Sequence, residues 1–212
     1  MLAVDTPHGQ ARVHLHPADG ARGALVLGHG AGGGVTAPDL VSVTRAALAE
    51  SVTVALVEQP YRVAGRRSPP PAHHLDVAWT AVIEHLRSTA LAGLPLVAGG
   101  RSSGARVACR TAGTVGAAGV LCLAFPLLPP RRASAKTVPE SRIGELDDVA
   151  VPVLVVQGKR DRFGMPPAVG SRKVVQVPGD HSLRSDAAAV AGAVGGWLPQ
   201  VLAGKGRPAQ VR

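Results

Sequence analysis

The chain reads as an α/β domain, a doubly wound, mostly parallel sheet of about seven strands with no lid domain. Three observations predict this. Short Val- and Leu-rich runs recur along the chain, helix-length segments separate them, and the two longest connections both leave from strand ends. A strand covered on both faces has no polar side to show, so it reads as a continuous apolar run rather than an alternation.

Taken in order, Ala11 to His16 alternates apolar and polar residues, which suits an edge strand. Ala24 to Leu27 is the first wholly apolar run. Pro38 to Glu50 opens a helix with proline in the first turn and Asp39 behind it. Val52 to Val57 is the next strand. His73 to Leu91 then places Leu75, Ala78, Trp79, Val82, Ile83 and Leu86 three and four residues apart, on one helical face. Leu94 to Ala98 and Gly119 to Leu123 are strands flanking a helix over Ser103 to Ala112. A short helix is expected near Ser141 to Asp148, followed by strands Val151 to Val156 and Arg172 to Val177 and a helix over Ser185 to Leu202. The domain is expected to span 1–203. The remainder, 204–212, holds Gly204, Lys205, Gly206, Arg207 and Pro208 and reads as a frayed, solvated tail.

Composition narrows the function. The 212 residues are 46% hydrophobic and 17% charged, enough to bury a core. No apolar run approaches the roughly 18 residues that span a bilayer, and Ala117 to Leu128 is broken by Pro126. Met1 to Thr6 lacks the basic and then apolar pattern of an export signal, so a cytoplasmic protein without membrane contact is expected. Cys109 and Cys122 lie in apolar segments and read as buried thiols. Lysine and arginine number 23 against 14 acids, a formal charge of +9. The basic residues are spread along the chain, however, and only Tyr61, Trp79, Phe125, Phe163 and Trp197 offer rings for base stacking. No nucleic-acid partner is expected.

The chemistry concentrates in Gly99 to Arg106, where Gly100-x-Ser102-x-Gly104 stands between a strand and a helix. A strand that turns straight into a helix strains its corner residue, and small neighbours keep the flanking chain from colliding. Ser102 would then project from the sheet edge with the Ser103 amide beside it. A hydroxyl needs a base, and His181 in Pro178-Gly179-Asp180-His181-Ser182 follows the last strand and lies at the same edge. The imidazole in turn needs an acid. Asp161, just past the strand ending at Val156, completes the order Ser, Asp, His; Glu58 and Asp180 compete for that role.

Gly28-His29-Gly30-Ala31-Gly32-Gly33-Gly34 follows a strand, and its Ala31 amide is assigned to an oxyanion hole together with that of Ser103. The same glycines match a dinucleotide fingerprint, with Glu58 available for a ribose. In that motif a helix should begin at the third glycine, whereas Gly34, Val35, Thr36 and Ala37 intervene before Pro38. The pairs His14/His16 and His73/His74 lack cysteine or carboxylate partners at zinc spacing, so neither a metal nor a cofactor is expected. Phe125, Pro126, Leu127 and Leu128 are assigned to an apolar wall for the acyl group. Arg62, Arg66, Arg67, Arg131 and Arg132 follow strands on the ligand side and are candidates to steer an anion, Arg62 among the substrate-binding residues. Arg101, by alternation, points away from the pocket toward an acid.

His-Gly-Ala-Gly-Gly, Gly-Gly-Arg-Ser-x-Gly-Ala-Arg, Leu-Ala-Phe-Pro-Leu-x-Pro-Pro and Gln-Gly-x-x-Asp-x-Phe-Gly resemble the small α/β-hydrolases of the dienelactone-hydrolase-like group. Within it they are similar to the bacterial relatives of testis-expressed protein 30 and of subunit 3 of the non-specific lethal complex. The likeness runs from about Gly23 to Trp197. It implies Ser102 as nucleophile, Asp161 as acid and His181 as base. True dienelactone hydrolases use a cysteine nucleophile, so Ser102 does not imply their substrate, and some relatives belong to protein assemblies, which implies a possible scaffold role. The expected activity is hydrolysis of a small ester or related acyl substrate through an acyl-enzyme.

Overall fold

The computed structural model describes residues 1–129 and 140–204. Among these the sheet has eight strands, in the order β1-β2-β4-β3-β5-β6-β7-β8. β1 (Leu2–Thr6) and β2 (Gly9–His16) form an antiparallel hairpin, and β2 pairs antiparallel with β4 (Val52–Glu58). From β4 onward all pairings are parallel, through β3 (Gly23–Gly28), β5 (Leu96–Arg101), β6 (Gly119–Leu123), β7 (Val153–Gly158) and β8 (Arg172–Val177). The helices are α1 (Pro38–Ala49), α2 (Pro60–Val63), α3 (Ala72–Ser88), α4 (Ser103–Thr111), α5 (Ile143–Asp147) and α6 (Ala187–Ala203).

Strand alternation divides the core in two. Ala24, Val26, Ala55, Val57, Ala98, Val120 and Cys122 face α3 and α4, whereas Leu25, Leu27, Val54, Leu56, Val97, Leu121 and Leu123 face α1 and α6. Both sides of these strands are buried, which is why they read as unbroken apolar runs. Cys109 and Cys122 are free, buried thiols 3.5 Å apart on the first face. The hydrogen bond between them and burial push the Cys122 thiol well above its ordinary pKa.

Two expectations are corrected. Ala11 to His16 is not an edge strand, because β1 pairs outside it. Only Val4 of β1 is buried, so that strand has too little alternation to announce itself. β5 runs on to Arg101 rather than stopping at Ala98. Gly99 and Gly100 read as a turn in sequence, yet they pair in register with Leu27 and Gly28 on one side and Leu121 and Cys122 on the other. A Cβ at Gly99 would stand 2.7 Å from the Leu121 carbonyl oxygen, so the glycine serves strand packing. The connection after β4 contains a single helical turn, α2, with Pro60 at its start. The expected tail beyond Gly204 lies outside the described residues, as do Arg131 and Arg132. Among the described residues no helix is long and apolar enough to cross a membrane.

An ion-pair network anchors α4. Arg106 donates two hydrogen bonds to Glu145 of α5, at 2.8 and 2.5 Å. Arg110 donates two to Asp76 of α3, at 2.8 and 2.6 Å, and a third to Glu145 at 3.1 Å. Burial raises the pKa of Glu145, but the hydrogen bonds and charges of Arg106 and Arg110 more than offset this and hold it below its ordinary value. A depressed carboxylate pKa contributes stability above the unfolded value and loses it as the pH falls through the folded one. Glu145→Gln should therefore cost about 2 kcal/mol at neutral pH. The gap from wild type should close as the pH drops below about 4, measured by urea unfolding at each pH.

Candidate active site

All the parallel strands end at one rim, and the loops there carry Ser102, Asp161 and His181. β5 turns into α4 at Ser102, which adopts φ 52° and ψ −107°. That left-handed conformation is strained for a residue with a side chain. It is imposed by close packing. A Cβ on Gly104 would collide with the carbonyl oxygen of Gly28, and one on Gly100 would stand 2.6 Å from that same oxygen. The first turn of α4 thus lies directly on the end of β3, and only glycine fits at these positions. The Ser102 N–H donates to the Leu123 carbonyl at 2.9 Å, and the Arg106 N–H donates back to the Ser102 carbonyl at 3.2 Å.

The Ser102 hydroxyl lies 2.9 Å from Nε2 of His181, whose Nδ1 lies 2.8 Å from Oδ2 of Asp161. The carboxylate only accepts, so Nδ1 carries the proton and Nε2 is left to accept from the hydroxyl. Asp161's side chain is fully buried and His181's about one-fifth exposed. The other Asp161 oxygen accepts from the Phe163 N–H at 2.9 Å, and the Phe163 ring meets the imidazole edge-on at 4.5 Å between centroids. The competing acids are engaged elsewhere. Glu58 lies 3.1 Å from His14 and 3.8 Å from Arg12, and Asp180 accepts from the Ser182 N–H and hydroxyl.

The glycine-rich loop after β3 sits beside this chain, and a Cβ on Gly30 would lie 3.6 Å from the Ser102 Cβ. His29 is buried behind the loop. Its Nε2 accepts from the Gln59 N–H at 3.1 Å, so its Nδ1 donates to the Gly30 carbonyl at 2.8 Å. Burial, aided by the positive charge of Arg62, lowers the His29 pKa against the pull of the Gly30 hydrogen bond and Glu58. Tyr61 donates from its hydroxyl to the Ala31 carbonyl at 3.0 Å. The loop is pinned from two sides, with the Ala31 and Ser103 amides both on segments that flank Ser102.

The family can now be stated. Residues 21–189 match the model of the α/β hydrolase domain. The chain belongs to this family. No curated protein matches the chain significantly. Solved α/β hydrolases superpose over most of it. A serine hydrolase homologue from Coxiella burnetii has a TM-score of 0.73 at 16% identity, covering 93% of this chain and 96% of its own. A lidless serine hydrolase from Xanthomonas campestris has 0.72 at 18%, covering 94% and 93%. A dienelactone hydrolase from Anabaena variabilis has 0.71 at 16%, covering 94% and 95%. At these identities the likeness is one of fold.

Within this α/β hydrolase, the expected acyl wall needs correction. The Phe125 side chain is fully buried in the core facing α3 and α4, so it presents no surface to a substrate. Ala124 takes φ 50°, which ends the strand's alternation just before it. Leu127 and Leu128 are only partly buried, and Leu127 lies beside Gly164 in the Asp161 loop. Arg62 is bonded to the Arg66 carbonyl at 3.5 Å, and its charge is felt at His29.

Two supporting residues emerge from the coordinates. Arg101 does turn toward an acid, the buried Asp39 at the start of α1, 2.9 Å away though not aligned as a hydrogen bond. Burial raises the Asp39 pKa, and the Arg101 charge opposes that. Arg101 also donates to the His181 carbonyl at 3.2 Å. Gln157, wholly buried at the end of β7, directs its amide nitrogen at three acceptors, each 2.9 Å away: Asp161 Oδ2 and the carbonyls of Phe125 and Gly164. The sequence carried it only as the first residue of the Gln-Gly-x-x-Asp-x-Phe-Gly stretch, with nothing to show what its side chain would hold.

Gln157→Leu should leave the Gly164 carbonyl without a donor and remove one of the two donors from Asp161 Oδ2 and from the Phe125 carbonyl, at a cost of about 2 kcal/mol in urea unfolding. His29 supplies a pH test. Because its folded pKa is depressed, protonation favours the unfolded chain, and stability falls as pH drops below the unfolded value of about 6.5. His29→Gln should flatten that part of the stability–pH curve.

Proposed function

We propose that the protein is a serine hydrolase acting on small esters or related acyl compounds through an acyl-enzyme. The observation that carries this reading is the unbroken hydrogen-bonded chain from the Ser102 hydroxyl through His181 to Asp161. Ser102 attacks the substrate carbonyl while His181 Nε2 takes its proton. Asp161 holds the imidazole in the required tautomer and stabilises the imidazolium that forms. The tetrahedral oxyanion is held by the Ala31 and Ser103 amides, each such donor worth roughly 3 kcal/mol in the transition state. His181 then protonates the leaving alkoxide. Water, activated by the same imidazole, cleaves the acyl-enzyme and restores Ser102.

In this scheme Leu127, with Leu128, borders the acyl group, and Arg62 contributes positive charge near the entrance. Without a lid the acyl site is shallow, which favours short chains. The reading is tested with a fluorophosphonate probe on the folded protein. Wild type is expected to be labelled; Ser102→Ala should lose labelling entirely and His181→Ala should slow it by about a thousandfold or more. Folded wild-type protein that takes no label would indicate a binding or scaffold protein instead. In a panel of 4-nitrophenyl esters, kcat/KM for acetate should exceed that for decanoate by about tenfold.

A further inference from the structure

A second cavity, of about 520 Å3, lies between the β1–β2 hairpin, α2 and α3. This is within the roughly 300–1,000 Å3 of small-molecule sites. None of Ser102, Asp161 and His181 lines it. Its wall is apolar, built from Val63, Leu75, Ala78 and Tyr61. Its other polar side chains are Gln10, Gln59, His8, His74 and Arg66, with Arg66 the one formal charge among them and the two imidazoles stacked with centroids 4.0 Å apart. Among the described residues no aspartate or glutamate lines it. The start of α3 lies beside it, and this 17-residue helix has no acid in its first turn and no side-chain cap, so its dipole favours an anion there.

We propose that this cavity binds a small organic monocarboxylate, its hydrocarbon part against Leu75 and Ala78 and its carboxylate at Arg66, His8 and His74. The wall favours hydrocarbon, and a single guanidinium sharing the lining with two imidazoles suits one carboxylate. A cation would meet the Arg66 guanidinium there, and a compact multivalent anion would leave the apolar wall unused. The site also communicates with the rest of the rim. Tyr61 lines the cavity and donates to the Ala31 carbonyl at 3.0 Å, so a ligand pressed against its ring acts on the glycine-rich loop. Occupancy therefore alters turnover, a consequence that rests on the hydrolase reading above.

Hexanoate and hexanamide are the probes, titrated by calorimetry into the full chain. One-to-one hexanoate binding is expected, about fivefold or more tighter than hexanamide. Arg66→Gln should abolish that preference, and Val63→Trp, which fills the cavity from its partly exposed wall, should weaken binding of both. With an ester substrate, hexanoate should change kcat at saturating ester, and Tyr61→Phe should remove that effect while hexanoate still binds. No heat of binding up to about 10 mM hexanoate overturns the proposal. Binding unchanged in Arg66→Gln and Val63→Trp, with KM alone raised, places the acid at Ser102 and also overturns it. Calorimetry reads the cavity even if the ester assay is silent, so failure of the hydrolase reading would be seen separately.

Discussion

The arrangement at the rim depends on how closely α4 approaches the end of β3. Gly28, Gly100 and Gly104 bring their backbones into contact there, and no side chain would fit between them. That contact leaves the chain too little room to pass from strand to helix through an ordinary conformation, so Ser102 takes up φ 52°. Such strain costs on the order of 1–3 kcal/mol and persists only where surrounding structure over-determines it. Here it does, because β5 lies in the middle of the sheet with β3 and β6 bonded on either side. The strained corner is what exposes the hydroxyl and sets the Ser103 amide beside it.

Around that corner, His181 is held from opposite directions. Asp161 engages its ring from the β7 side, and Arg101 holds its carbonyl from the β5 side. Each support has its own backing: Gln157 donates to Asp161, and Asp39 neutralises Arg101. The His181 loop carries little backbone regularity of its own, and Leu183 within it sits at φ 52°. Its position is therefore set by side chains from neighbouring strands. This is a rigid-scaffold solution, in which loops bear the hydrogen-bonded serine, histidine and aspartate and strands supply the precision.

What was legible in the sequence follows the same division. Strands buried on both faces announced themselves by composition, and the order Ser102, Asp161, His181 could be read because each follows a different strand. Features that depend on contacts across the fold could not be read. β1 buries one valine and looks like a terminus. Phe125 resembles a pocket residue until the turn at Ala124 sends it into the core. Gln157 matters only because three acceptors from separate segments converge on its nitrogen. Arg101 was readable in direction, by alternation, but its partner Asp39 belongs to a distant helix.

The basic composition also acquires a physical explanation. Arg101, Arg106, Arg110 and Arg172 are all mostly buried, and each faces a carboxylate: Asp39, Glu145, Asp76 and Asp147 respectively, with Glu145 shared by Arg110. A planar guanidinium can bind two oxygens at once and is weakly hydrated, so it enters such positions more readily than an ammonium. These four arginines are thus structural, joining helices to one another and to the sheet. The positive charge at Arg62 and Arg66 stands apart from that framework, at the border between the glycine-rich loop and the second cavity. With the basic residues spread along the chain, the net charge does not point to a polyanionic partner. Its distribution favours instead a local attraction for small anions at one end of the sheet.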